Sequence, residues 1–145
     1  MEFESVEYFM TKDHQDTNDV ITNIHDDSVR NIIDRDSIRR VSGMLKLHIY
    51  IEEVILFPRL QAEYSEDVEF LEKQHGQIFR FLNSLNRNGI NGKVTEEITK
   101  RLLDLLLEHN AFEESFIYPS FENVDAKIIE NIAFPDEWKC RYSEY

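Results

Sequence analysis

The sequence predicts an all-α protein, an antiparallel up-down-up-down four-helix bundle with a short C-terminal extension, and three observations carry that prediction. Helix breakers are scarce: the 145 residues include four Gly and three Pro, while 31% are charged, a balance that favours helix over sheet. Apolar residues recur at spacings of three and four in four separate runs, as expected of helices that bury one face in a bundle. The links between the runs are short, which makes consecutive helices antiparallel neighbours. The length suits a single domain with a real core. Residues 1–121 are assigned to the bundle and 122–145 to a C-terminal tail.

The first run, Met10, His14, Thr17, Ile21 and Ile24, predicts helix 1 over roughly residues 4–26. Thr17, Asn18, Asp19, Thr22 and Asn23 are poor helix formers, so packing or a ligand must stabilise it. Ile38, Val41, Leu45, His48, Glu52 and Ile55 predict helix 2 over roughly 35–62. Val68, Leu71, His75, Ile78, Leu82 and Leu85 predict helix 3 over roughly 66–87, opened by Ser65 with Glu66 and Asp67 in its first turn. The segment from Asn86 to Gly92 reads as a loop, rich in residues that tolerate positive φ. Leu102, Leu106, His109, Glu113 and Phe116 predict helix 4 over roughly 94–118. Pro58 and Pro119 are expected to bend or end helices 2 and 4. In the tail, Val124 to Phe134 reads as a short helix, and the aromatics beyond it as a cover for one end of the bundle ahead of the alternative, a contact for a partner.

One motif occurs twice. His48, Glu52, Glu53, Phe57 and Pro58 are matched by His109, Glu113, Glu114, Tyr118 and Pro119, each 61 positions later (109−48, 119−58), and the same offset carries His14 onto His75 (75−14). Residues four apart on a helix share a face, so His48 with Glu52 and His109 with Glu113 each present two metal-ligand types together. A single such pair usually marks a surface contact. Here six polar residues, from all four helices, interrupt the apolar stripes. Burying imidazoles and carboxylates in a core is costly unless they pair, accept hydrogen bonds or bind metal.

The candidate ligands are therefore His14, His48, Glu52, His75, His109 and Glu113. Four imidazoles and two carboxylates without a thiolate exclude an iron–sulfur cluster and argue against structural zinc. Two six-coordinate ions offer twelve positions. The histidines fill four, bridging Glu52 and Glu113 fill four, and an oxo or hydroxo bridge fills two, which leaves about two open for a small ligand. Iron is expected ahead of manganese or zinc. Eleven residues beyond His14, His25 lies ~16 Å further along the axis and cannot reach the same site. Glu72, three before His75, is expected to orient it or meet solvent rather than to ligate. Glu53 and Glu114 turn ~100° away from the ligand face, towards helix flanks, as acceptors from a ligating imidazole or as solvated acids.

The formal net charge of −13 opposes nucleic acid and anionic membrane as partners. No stretch approaches ~18 uninterrupted apolar residues, so no membrane span is expected. The acidic N-terminus does not read as a signal peptide, and the single cysteine, Cys140, forms no internal disulfide; a reducing, cytoplasmic setting is expected.

These motifs resemble the hemerythrin-like family, also called the HHE cation-binding domain. Its pattern is a lone histidine on helix 1, a His-x-x-x-Glu-Glu motif with a following Phe/Tyr-Pro on helix 2, a lone histidine on helix 3, and the composite motif again on helix 4. Asp13-His14, His48 with Glu52, His75, and His109 with Glu113 match in order and spacing over about residues 8–121. The resemblance implies a non-haem di-iron centre bridged by the two glutamates, and roles in oxygen binding or sensing, nitric oxide or peroxide response, or iron handling and repair. The chain departs from the oxygen-carrying branch: Phe79 stands where that branch has a fifth histidine, and Glu113 follows His109 by four positions where that branch has an aspartate at five. This argues for redox or peroxidase-like reactivity, or for sensing, over oxygen carriage. A ferritin-like pattern needs two Glu-x-x-His motifs, and the twin of Glu72 is Thr11. The expectation is a di-iron protein that binds, senses or reduces dioxygen, peroxide or nitric oxide, with a protein redox or signalling partner. The alternatives are an iron-binding, storage or repair module without turnover, or a bundle that metal merely stabilises.

Overall fold

A computed structural model of the chain describes residues 3–88 and 91–144. Its four long helices are α1 (Val6–Val29), α2 (Arg35–Tyr50), α3 (Ser65–Asn88) and α4 (Gly92–Phe112). Each packs on its neighbour in the chain, and α1 packs on α4, which closes the four into a ring. The described residues form no strand, only an isolated bridge between Ser5 and Asp125. No described helix is long and apolar enough to cross a membrane.

Local chemistry sets the ends of the helices. Ser5, Asp34 and Asn91 cap α1, α2 and α4 by accepting from backbone N–H groups of the first turn, which satisfies donors that the helix leaves unpaired. At the end of α1, Asn31 takes a left-handed φ of 60°. The Ile32 and Asn31 N–H groups then close back on the Asp27 and Ser28 carbonyls, a Schellman-type stop in which asparagine tolerates the conformation. The link expected from Asn86 to Gly92 is shorter than the composition suggests. Residues 86–88 belong to α3 and Gly92 opens α4, while positions 89 and 90 of that segment lie outside the described residues. Helix 2 also falls short of residue 62, because Leu60 and Gln61 are extended beyond Pro58.

The core has two apolar layers. One contains Ile21, Ile24, Leu45, Ile49, Ile78, Leu82, Leu102 and Leu106; the other contains Val6, Met10, Leu56, Leu71, Ile117 and Phe121. On every helix the histidine, or the histidine and glutamate, falls between residues of the two layers. A polar layer therefore crosses the middle of the bundle.

The tail differs from expectation. Val124 to Phe134 contains one short 3₁₀ turn, Ala126–Ile128, in place of a helix. Asn131 turns the chain at φ 56°, and Ala126 and Ile129 bury against the second apolar layer. A segment this short gains too little from helical hydrogen bonds to hold a helix by itself. Further on, Trp138 packs edge-on against Tyr50 and Phe79, and Cys140 is buried in the first apolar layer. The tail thus starts against the N-terminal end of α1 and, from Trp138 onward, lies along α2 and α3.

Candidate metal centre

The six residues singled out in the sequence meet in the polar layer, each at most 4% exposed. They form two groups, His14, His48, Glu52 and Glu113, and Glu52, His75, His109 and Glu113; within each group the ligand atoms all lie within 4.8 Å of one another. Both groups contain both glutamates. The Nε2 atoms of His14 and His109 lie 3.1 and 3.2 Å from Glu113 Oε1. Those of His75 and His48 lie 2.9 Å from Glu52 Oε1 and 3.5 Å from Glu52 Oε2.

Outside this shell every Nδ1 is tied off. His14 Nδ1–H donates to Glu114 (2.8 Å) and His75 Nδ1–H to Glu53 (2.6 Å). His48 Nδ1–H donates to Asp13 (2.7 Å) and His109 Nδ1–H to the Gln74 side-chain carbonyl (2.7 Å). Carboxylates and amide carbonyls only accept, so these contacts hold a hydrogen on Nδ1 and turn Nε2 inward, where it can ligate once a metal displaces any proton shared with Glu52 or Glu113, the arrangement typical of metal-ligating histidine. Glu53 and Glu114 are thus both acceptors from imidazoles, Glu53 buried and Glu114 still in contact with solvent. Asp13 entered the sequence reading only beside His14 in the matched motif and Gln74 not at all, although the 61-residue offset relates them (74−13). Their role needs the azimuth of two packed helices, which spacing along one helix does not supply.

A widened turn aims the lower part of the site. At Glu52 and at Glu113 the α-helix passes into π-helical turns, Ile51–Leu56 and Glu113–Ile117. The N–H of Phe57 bonds back to the Glu52 carbonyl, and that of Tyr118 to the Glu113 carbonyl. Pro58 and Pro119 follow directly; having no N–H, they end the ladder at that point. The extra residue turns both aromatics inward. Phe57 stacks on His75, with ring centroids 5.8 Å apart and an interplanar angle of 3°. Tyr118 instead brings its hydroxyl into the first group: it donates to Glu52 Oε2 (2.6 Å), and lies 2.9 Å from His14 Nε2 and 3.1 Å from both His48 Nε2 and Glu113 Oε1. Only the identity of the motif's aromatic, Tyr in one copy and Phe in the other, signals this in the sequence.

The electrostatics are those of a buried, charge-paired cluster. Burial alone would lower the pKa of His75, but hydrogen bonds to Glu52 and Glu53 and the charges of Glu52 and Glu113 outweigh it and raise the value to about 9. Burial likewise opposes protonation of His48, and the Glu52 charge with the Asp13 hydrogen bond raises it well above 6.5. Burial pushes Glu113 up, and the neighbouring His109 with the surrounding hydrogen bonds carries it well below the usual carboxylate value. Tyr118 is pushed well up by burial and by the charges of Glu113 and Glu52, so its phenol keeps its proton. Glu72 stands outside both groups and meets Arg141 Nη1 at 3.4 Å. His25 is half-buried and away from the centre, with Nδ1 2.9 Å from Thr99 Oγ1.

The donor set fits a pair of metal ions. Six donors converge in two groups with two shared carboxylates, and Glu113 Oε2 is buried without a hydrogen-bond partner. An orphaned carboxylate oxygen in a core is costly, and a cation would satisfy it. Fold and site together define a helical-bundle protein with His/Glu groups built to bind metal. The model of the family described as the hemerythrin HHE cation binding domain matches residues 5–121. The chain belongs to that family. No curated protein and no solved structure matches it.

Proposed function

We propose that this chain is a non-haem di-iron protein that binds a small oxidant, namely dioxygen, peroxide or nitric oxide. The observation that carries the reading is the pair of four-residue groups sharing Glu52 and Glu113, with all four Nδ1 atoms hydrogen-bonded outward. His14 and His48 would hold one ion, His75 and His109 the other, and both glutamates would bridge them. Iron supports redox chemistry on small ligands when bound; the ligand types are compatible with it.

The chain's own residues limit what enters. The two halves are unequal: the Tyr118 hydroxyl fills space beside His14 and His48, while the ring of Phe57 lies against His75. Tyr118 also holds a proton beside both bridging carboxylates. A groove of about 410 Å³ lined by Phe57, Leu60, Tyr64, Glu72 and Arg141 lies on the outer side of Phe57. Burial of the donors suits a ligand of two or three non-hydrogen atoms and opposes a bulky substrate. Turnover would need an electron donor, and for a chain of net charge −13 a basic protein partner is expected.

Closure of one half by Tyr118 favours a second reading, an iron-holding or sensing module without turnover. Peroxide and a chemical electron donor, both in large excess, added to iron-loaded protein separate the two, with metal-free protein as the blank. Many equivalents consumed per site, with the visible bands of a bridged di-ferric pair, support the oxidant-reducing reading. Consumption that stops at about one equivalent supports the module, and an unchanged spectrum contradicts both.

A further inference from the structure

The tail lies beyond the matched residues 5–121, yet it reaches the centre. The backbone N–H of Arg141 donates to Glu53 Oε1 (3.0 Å), while Oε2 of the same carboxylate accepts from His75 Nδ1 (2.6 Å). Glu53 is thereby held at both oxygens, and its side chain is 6% exposed. Its counterpart in the repeat, Glu114, which accepts from His14, is 38% exposed. The two outer acceptors differ because the tail covers one of them.

The approach is built into the sequence beside the ligand. A Cβ on Gly76 would collide with the Tyr142 carbonyl oxygen and stand 2.8 Å from its carbon. Only glycine therefore lets the tail lie on α3 at this point. The 61-residue offset places Gln15 at the equivalent position (76−15), where the side chain is exposed to solvent. Arg80 Nη1 donates to the Tyr142 carbonyl (3.1 Å), and Arg141 Nη1 meets Glu72 (3.4 Å). Trp138 against Tyr50 and Phe79, and buried Cys140, fix the strand of chain leading in.

We propose that residues 138–142 are a working part of the metal centre: the Arg141 main-chain N–H positions Glu53, and Glu53 orients His75, so one of the two metal positions depends on the tail and the other does not. This rests on the two-metal reading above. Arg141 and Glu53 are positioning residues, and the energetic route is the one by which outer hydrogen-bond partners tune metal-ligating imidazoles.

The test uses the full chain with Gly76→Ala, which lifts the tail from α3 while improving helix propensity. Arg141→Pro removes the donating N–H without altering α3, and Arg141→Ala keeps the N–H while removing the side chain beyond Cβ, guanidinium included. Anaerobic ferrous iron is titrated into each metal-free protein, and the imidazole Nδ1–H signals of His75 and His14 are followed by NMR. The wild type is expected to take two equivalents. Gly76→Ala and Arg141→Pro are expected to keep one, weaken the other roughly ten- to hundredfold, and speed hydrogen exchange at His75 Nδ1 but not at His14 Nδ1. Arg141→Ala is expected to stay within about twofold of wild type, since outer-partner effects of that size require the lost hydrogen bond. Two wild-type equivalents with unchanged affinities and an unchanged His75 signal in both tail variants overturn the proposal alone. A wild type that binds no iron overturns the two-metal reading and this proposal together.

Discussion

The histidines of this centre donate outward through Nδ1 and face two shared carboxylates through Nε2, so the same contacts that orient them also set how they titrate. With its pKa raised from 6.5 to about 9, His75 binds its proton more tightly folded than unfolded. In metal-free protein its pairing with Glu52 and Glu53 contributes stability that is fully present below pH 6.5 and is lost as pH rises towards about 9. Glu113 has the opposite sign: its pKa is depressed below 4.5, so its contribution is present above that pH and fades as pH falls through the folded value. Urea unfolding of metal-free protein is thus expected to show a midpoint that declines from pH 6.5 to 9. Metal competes with these protons, and the loaded protein should lose little over the same range. Tyr118→Phe removes the buried hydroxyl that donates to Glu52 and lies beside Glu113 and should destabilise the metal-free protein by about 1–3 kcal/mol in the same assay. The six candidate ligands were legible in the sequence because interrupting an apolar stripe with ionisable groups is costly. Asp13 and Gln74 were harder to see, since each acts on a histidine of the neighbouring helix.

At the scale of elements, the helices divide into those stable by pattern and one that depends on its partners. Helix α1 contains Thr17, Asn18, Asp19, Thr22 and Asn23, yet it runs unbroken from Val6 to Val29. Its ties to the rest include the buried Met10, Ile21 and Ile24, Asp13 to His48, and His14 to Glu113 and Glu114. Removing metal loosens the last of these, so hydrogen exchange is expected to accelerate first in residues 6–29. Uniform exchange in loaded and metal-free protein would contradict this role. The existence and order of the four helices were legible from periodicity and caps. The π-turns at Glu52 and Glu113 were not, because one extra residue per turn barely disturbs an apolar stripe; Pro58 and Pro119 marked their position without revealing their form.

At the scale of the whole molecule, two apolar layers hold a polar layer between them, and the second half of the bundle repeats the first at an offset of 61 residues (109−48). The repeat explains why two groups of metal-ligand donors arise from one motif. Its departures explain why they are unequal: Asp13 against Gln74, Tyr118 against Phe57, and a tail on Glu53 but not on Glu114. The tail's placement was the least legible part, because it depends on a backbone carbonyl meeting Gly76, a contact between residues distant in sequence. The most direct test of the account is anaerobic titration of ferrous iron into metal-free protein, with the oxidised product read by Mössbauer spectroscopy. The account predicts two irons per chain as a spin-coupled pair in unequal environments. One uncoupled iron per chain, or none alongside tightly bound zinc, would contradict it.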